Sequence, residues 1–327
     1  MNNILISIEE ANDLIDSGKN LLFAGYENVL KQLHKGSWIG GTTPYFVAQN
    51  GGELNTEKVF VTEIPDYISN IDIQMMDEEN ISSIFTQAPK IGFVVLILPT
   101  GSNVHLKYAL EAPEFQDFAT RPIMGWTSAV AADELGKINA KVINGLDCKL
   151  VDNKAVIMNI TLPEGMYADL GIVNIFEQGD GTVFKFEEDG FSAKNVIVDG
   201  KKVNMANYMR ENKIGTAMPL VADYYGASIN VTLKDIGKEQ VTFYAPVFKG
   251  IEYRIAKPIN NYEEEFKKQI PETMNNIFYS CNCFMNYVLG NLEGKKTANI
   301  TGMITFGEIA YQLLNQTLVY LSIKSST

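Results

Sequence analysis

The period of apolar and polar positions changes several times along the chain, and each change marks an element. Ser7-Ile8-Glu9-Glu10 reads as a capping box, because a Ser hydroxyl and a Glu carboxylate three residues on can satisfy each other's backbone donors. The helix that follows ends near Gly18. A strand is expected over residues 21–24 and a helix over 26–34 with Val29, Leu30 and Leu33 on one face. A short strand at Trp38-Ile39 then runs into a glycine-rich turn, Gly40-Gly41-Thr42-Thr43-Pro44. Further strands are read at 59–64, 91–98, 155–162, 172–176 and 182–186, and helices at 78–86 and 104–112. A stretch rich in turn signals, 189–200, precedes a helix at 203–211, strands at 229–233, 241–244 and 252–255, a charged helix at 262–268 and a β-rich end.

Strands interspersed with helices predict an α+β (mixed α/β) protein, two-lobed, with mixed β-sheets packed with helices. The change of texture places the lobe boundary near residue 190, giving lobes 1–190 and 191–327. No short tandem repeat is visible. The one sign of internal duplication is that each lobe contains a strand entering a polar, small-residue turn.

Composition narrows the class. The 327 residues carry 27 Lys+Arg against 39 Asp+Glu, a formal charge of −12, and 46% are hydrophobic, enough for a substantial core. Arg121, Arg210 and Arg254 are the only arginines and the lysines are scattered, so no basic stripe exists to displace phosphate counterions. Nucleic acid is therefore excluded as the main partner, and the acidic balance sets the chain against an anionic membrane. The longest apolar stretch, residues 91–98, has the length of a buried strand and not of a membrane span. The N-terminus runs into Glu9, Glu10 and Asp13 without the basic and apolar blocks of an export signal. Cys148, Cys281 and Cys283 are an odd number for a disulfide framework, which points to a reducing cytoplasm.

No dinucleotide-binding or phosphate-binding glycine motif, no H-E-x-x-H and no C-x-x-C is present. His34 and His105 are the only histidines, too few for a His-rich metal site. Four segments remain. Gly40-Gly41-Thr42 lets the backbone approach a ligand and offers a hydroxyl, or forms an ordinary tight loop. Pro99-Thr100-Gly101-Ser102-Asn103 precedes a helix whose free N–H groups suit an anion, or is capped by Ser102 or Asn103, with His105 facing solvent in its first turn. In Phe278-Tyr279-Ser280-Cys281-Asn282-Cys283-Phe284 both thiols share one strand face with Asn282 opposite; they serve as ligands, as a nucleophile, or as small buried hydrophobes. Glu308, just beyond a strand ending at Gly307, binds a ligand ammonium or caps a backbone donor.

These segments, in this order, resemble the FIST family of intracellular sensory domains. The resemblance rests on Val198-Asp199-Gly200-Lys201-Lys202-Val203 before a helix, Met218-Pro219-Leu220, Ser280-Cys281-Asn282, Phe306-Gly307-Glu308-Ile309 and Asn315-Gln316-Thr317-Leu318, with Ile39-Gly40-Gly41-Thr42 in the N-terminal half. It covers the whole chain in layout and is dense in motifs from about residue 195 onward. Where family members continue the Ser-Cys motif with Gly-Arg, this chain has Cys283 and Phe284, which removes a bidentate anion clamp.

The resemblance implies a stand-alone, non-enzymatic small-ligand sensor that signals to a separate protein partner. Its expected ligand-binding residues are Gly40, Gly41, Thr42, Cys281, Asn282 and Glu308, with no metal and no obligatory cofactor. Two alternatives stand beside it. One is a haem protein ligated through His34, His105 or Cys281; the other is a thiol enzyme with Cys281 as nucleophile.

Overall fold

The structure is a computed structural model describing residues 3–68, 70–224, 227–270, 277–296 and 300–326. The protein is mixed α+β, with several mixed sheets packed with helices. It folds into two compact units: residues 1–172, 270–313 and 318–327 form the first, and residues 173–269 with 314–317 form the second. The first unit therefore draws on both sides of residue 190.

Three six-stranded sheets build the first unit, and all three follow one plan. At the centre of each is a parallel pair joined through a helix. The pairs are Leu21–Gly25 with Trp38–Thr42 through Glu27–Leu30, Gly92–Pro99 with Ile123–Ser128 through Asn103–Glu111, and Ile277–Cys283 with Gly302–Thr305 through Phe284–Leu289. An antiparallel strand flanks the first member of each pair: Val59–Glu63, Ala155–Thr161 and Leu318–Ser325. Beyond these lie Asn3–Ile6, Asn70–Met76 and Met166–Val173.

The second member of each pair is flanked by a strand borrowed from elsewhere in the chain. Trp38–Thr42 pairs with Val142–Asn144, Ile123–Ser128 with Gly307–Ala310, and Gly302–Thr305 with Tyr45–Ala48. Each borrowed strand follows the second member of another pair, so the chain passes from the first sheet to the third, from the third to the second, and from the second to the first. The unit is thus a threefold repeat of one β-α-β plan closed in a ring, not the duplication suggested by the sequence. The second unit enters within the third repeat, after Met166–Val173 and before Ile277–Cys283.

Inner faces of the three sheets meet pairwise. Phe46 stacks on Phe60, Trp126 stacks on Tyr279, and the Cα of Gly41 faces Ile97 and Trp126. Helices cover the outer faces: Ile8–Asp16 and Glu27–Leu30 over Phe23 and Trp38, the turns around Ile84 with Asn103–Glu111 over Leu96 and Ile157, and Phe284–Leu289 over Tyr45 and Ile304. The capping box at Ser7 and the Ser102 cap both form. The expected helix at 26–34 shrinks to Glu27–Leu30, and that at 78–86 to two short turns, Ile81–Ser83 and Ile84–Gln87. Packing against a sheet sustains these turns, where propensity alone would not hold so short a helix.

The second unit has its own core. A six-stranded sheet and a three-stranded sheet, Gly190–Ala193, Val241–Val247 and Leu233–Ile236, enclose Phe184, Phe186, Phe243 and Tyr253, with the helix Met205–Glu211 contributing Met205 and Met209.

Candidate functional site

Gly40-Gly41-Thr42 lies inside a buried strand, correcting the turn expected there. A Cβ on Gly40 would come 2.9 Å from Phe23 O on the outer face, and one on Gly41 would come 2.7 Å from Ile97 Cγ2 and 2.9 Å from Trp126 Nε1 on the inner face. Both glycines are therefore present to let neighbouring strands and sheets close up. Thr42 Oγ1 accepts a hydrogen bond from the Lys141 backbone N–H at 2.9 Å.

Glu308 also departs from its expected place. It sits within the strand Gly307–Ala310 with no exposed surface, directly opposite Trp126 in the neighbouring strand. Opposite residues in an antiparallel pair present their side chains on one face, so the carboxylate and the indole share the inner face. Cys281, on the facing sheet, has its Sγ 3.1 Å from Thr305 Oγ1. The Thr305 hydroxyl donates to Gly307 O at 3.1 Å, which leaves the thiol to donate to Thr305. Tyr279, two residues before Cys281 and on the same face, stacks on Trp126 with ring centroids 5.9 Å apart.

Five side chains from four strands of three sequence-distant segments thus converge: Trp126, Tyr279, Cys281, Thr305 and Glu308, all buried. Gly41 lies against the indole. Burial first, then the neighbouring Glu308 charge, pushes the Cys281 thiol well up, so it stays protonated and un-nucleophilic at neutral pH. Burial likewise raises the Tyr279 phenol far above its ordinary value. The indole N–H of Trp126 is buried with no hydrogen-bond acceptor among the described residues. A buried donor in that position costs free energy until an acceptor reaches it.

Asn282 faces the other way. Its Oδ1 accepts from the Cys283 backbone and from Asn286 Nδ2 at 3.0 Å, a local role on the helix-covered side. Ser280, Asn282, Met303 and Leu318 leave no room between them for a water molecule.

Over residues 6–324 the chain matches a family described as one of unknown function, DUF6976. It belongs to that family. No curated protein matches the chain.

In this DUF6976 member the three candidate haem ligands occupy separate surroundings. His34 is exposed and its Nδ1 lies 3.0 Å from Asp16. His105, expected to face solvent, is buried, and its Nδ1 accepts from the Gly101 backbone N–H at 3.2 Å. Burial lowers its pKa to about 4, so it is neutral. Among the described residues, no three His, Cys, Asp or Glu side chains are grouped to hold a metal ion. No helix among them is long and apolar enough to cross a membrane.

The residues that sequence reasoning missed are Trp126, Tyr279 and Thr305. Strand alternation from Cys281 could have found Tyr279, two positions away on the same face. Nothing local marks Trp126, whose place in the cluster depends on strand pairing across most of the chain.

The remaining motif, Asn315-Gln316-Thr317, lies in the second unit. Asn230 Nδ2 donates to the carbonyls of Asn315 and Gln316, and Thr232 bonds through its hydroxyl to both side-chain amides. Asn174 completes the group by a reciprocal amide pair with Asn230.

Proposed function

We propose that this protein is a non-catalytic small-ligand sensor of the FIST type. Its ligand is held at the polar centre formed by Trp126, Tyr279, Cys281, Thr305 and Glu308, and its state is read by a separate protein. The observation that carries this reading is a buried indole N–H with no acceptor among the described residues, on the same inner face as Glu308. A ligand with an acceptor for Trp126 complements it. The stacked rings of Trp126 and Tyr279 supply an apolar wall, the usual make-up of a small-molecule site.

The protonated, buried thiol favours binding over nucleophilic catalysis, because the thiolate would have to form away from water beside Glu308. The acidic balance suits a protein that does not dwell on nucleic acid or anionic membrane.

A thermal-shift screen of small polar metabolites tests the reading. A ligand at 100 times its Kd should add about 2.7 kcal/mol of stability. The stabilisation should vanish in Glu308→Gln and Trp126→Phe while persisting in His34→Gln. Stabilisation that survives both centre substitutions would place the ligand elsewhere. A haem-dependent Soret band that shifts in Cys281→Ser would replace this reading with the haem one.

A further inference from the structure

The three passages from one sheet to the next differ greatly in length. Residues 43–44 make the first and Phe306 alone the second, whereas the third takes thirteen residues, 129–141. A one- or two-residue link suffices for this geometry, so the long passage serves something else.

Its two ends are clasped to Thr42. Ala129 N–H donates to Thr42 O, Thr42 N–H donates to Lys141 O at 2.9 Å, and Lys141 N–H donates to Thr42 Oγ1 at 2.9 Å. Thr42 is next to Gly41, which touches the Trp126 indole, and Thr43 Oγ1 donates to Ile304 O beside Thr305. The passage thus begins and ends on the strand ends that border the polar centre. Ala129, Val130, Ala131 and Ala140 are buried, while residues 135–139 are exposed.

Further polar bonds tie the passage to side chains at the helix over the first sheet and on the third sheet. Tyr26 OH donates to Glu134, Tyr45 OH accepts from the Ala132 N–H at 2.8 Å, and Lys141 Nζ lies 2.8 Å from the Glu27 carboxylate. Apart from the short turn Ala132–Glu134 it has no regular structure, and polar bonds of this kind break without disrupting a core.

We propose that residues 129–141 form a strap, latched through Tyr26–Glu134 and Glu27–Lys141, whose release gives small molecules access to the polar centre. The inference rests on the binding reading above, since it assigns the entry to that same site. It predicts that the closed centre is reached through local opening and not through unfolding of the unit.

The test reads access without any ligand. Native protein is labelled with a small neutral thiol reagent, and Cys281 and Cys148 are followed by peptide mass spectrometry. The parent is compared with Tyr26→Phe and with Lys141→Met. Tyr26→Phe keeps the ring and removes only the hydroxyl. Loosening the latch should speed Cys281 labelling about tenfold, the factor for one charge-assisted hydrogen bond, with half-buried Cys148 unchanged. The rate should also depend only weakly on urea, the mark of a local opening. An unchanged Cys281 rate in both folded variants would overturn the strap. So would a faster rate whose urea dependence equals that of global unfolding. A failed ligand screen with faster labelling would count against the binding reading alone.

Discussion

Gly41 and His105 carry the consequences of burial for single residues. Any side chain at 41 pushes the strand Trp38–Thr42 away from Ile97 and Trp126, which belong to another sheet. Gly41→Ala should therefore lose about 2 kcal/mol, within the range for overpacked cores. Gly215→Ala, with nothing within 4 Å of its Cβ position, should stay within about 0.5 kcal/mol, and urea midpoints compare the two. His105 is held neutral, with its pKa lowered to about 4, and the unfolded chain takes up the proton near pH 6.5. Between those values the unfolded state binds more protons, so stability must fall as pH drops through that window. The loss from pH 7 to pH 5 should be about 2 kcal/mol. It should largely disappear in His105→Gln, measured by denaturant unfolding at the two pH values. In the sequence this histidine looked solvent-facing because position in the first helical turn says nothing about which neighbours close over it. Its burial comes from the packing of the helix Asn103–Glu111 on the second sheet.

At the level of elements, the strands that were legible and those that were not separate by the range of their determinants. The strand Gly92–Pro99 stands out as an apolar run because it is buried on both faces, and Glu252–Ile255 and the caps at Ser7 and Ser102 depend on residues within one turn or strand. Gly307–Ala310 was hidden. Its four residues, Gly-Glu-Ile-Ala, carry a charge in the middle, and only pairing with Ile123–Ser128 makes them a strand with Glu308 turned inward. The polar tip 315–317 between Gln312–Leu314 and Leu318–Ser325 is similar: the Asn315 and Gln316 carbonyls accept from Asn230, and Asn315 Oδ1 accepts from the Thr232 backbone, more than eighty residues earlier. Asn230→Ala strands those buried carbonyls and should cost about 2 kcal/mol, a loss that Asn230→Asp would not fully restore, since a carboxylate cannot donate. Thermal melts of the three proteins provide the comparison.

The whole molecule combines a threefold ring of sheets with a second unit entering inside the third repeat. Each unit has a separate hydrophobic core, and both tryptophans, Trp38 and Trp126, lie in the first. Tryptophan fluorescence should therefore report unfolding of the first unit, whereas far-UV circular dichroism reports both. The two urea transitions are expected not to coincide; coincident curves would mean that the units unfold as one. The sequence by itself determined what short-range physics controls: the α+β class, the main caps, the apolar strands, the shared face of Cys281 and Cys283, and an acidic surface. Tertiary structure alone decided the threefold plan, the burial of Glu308 opposite Trp126, and the clasping of the passage 129–141 to Thr42. The reason is distance along the chain. Tyr45 pairs with Ile304 and Trp126 with Glu308 through backbone hydrogen bonds that any residue type can make, so no local pattern announces them. Only when the three sheets close on one another do a glycine, an indole, a thiol and a carboxylate become neighbours.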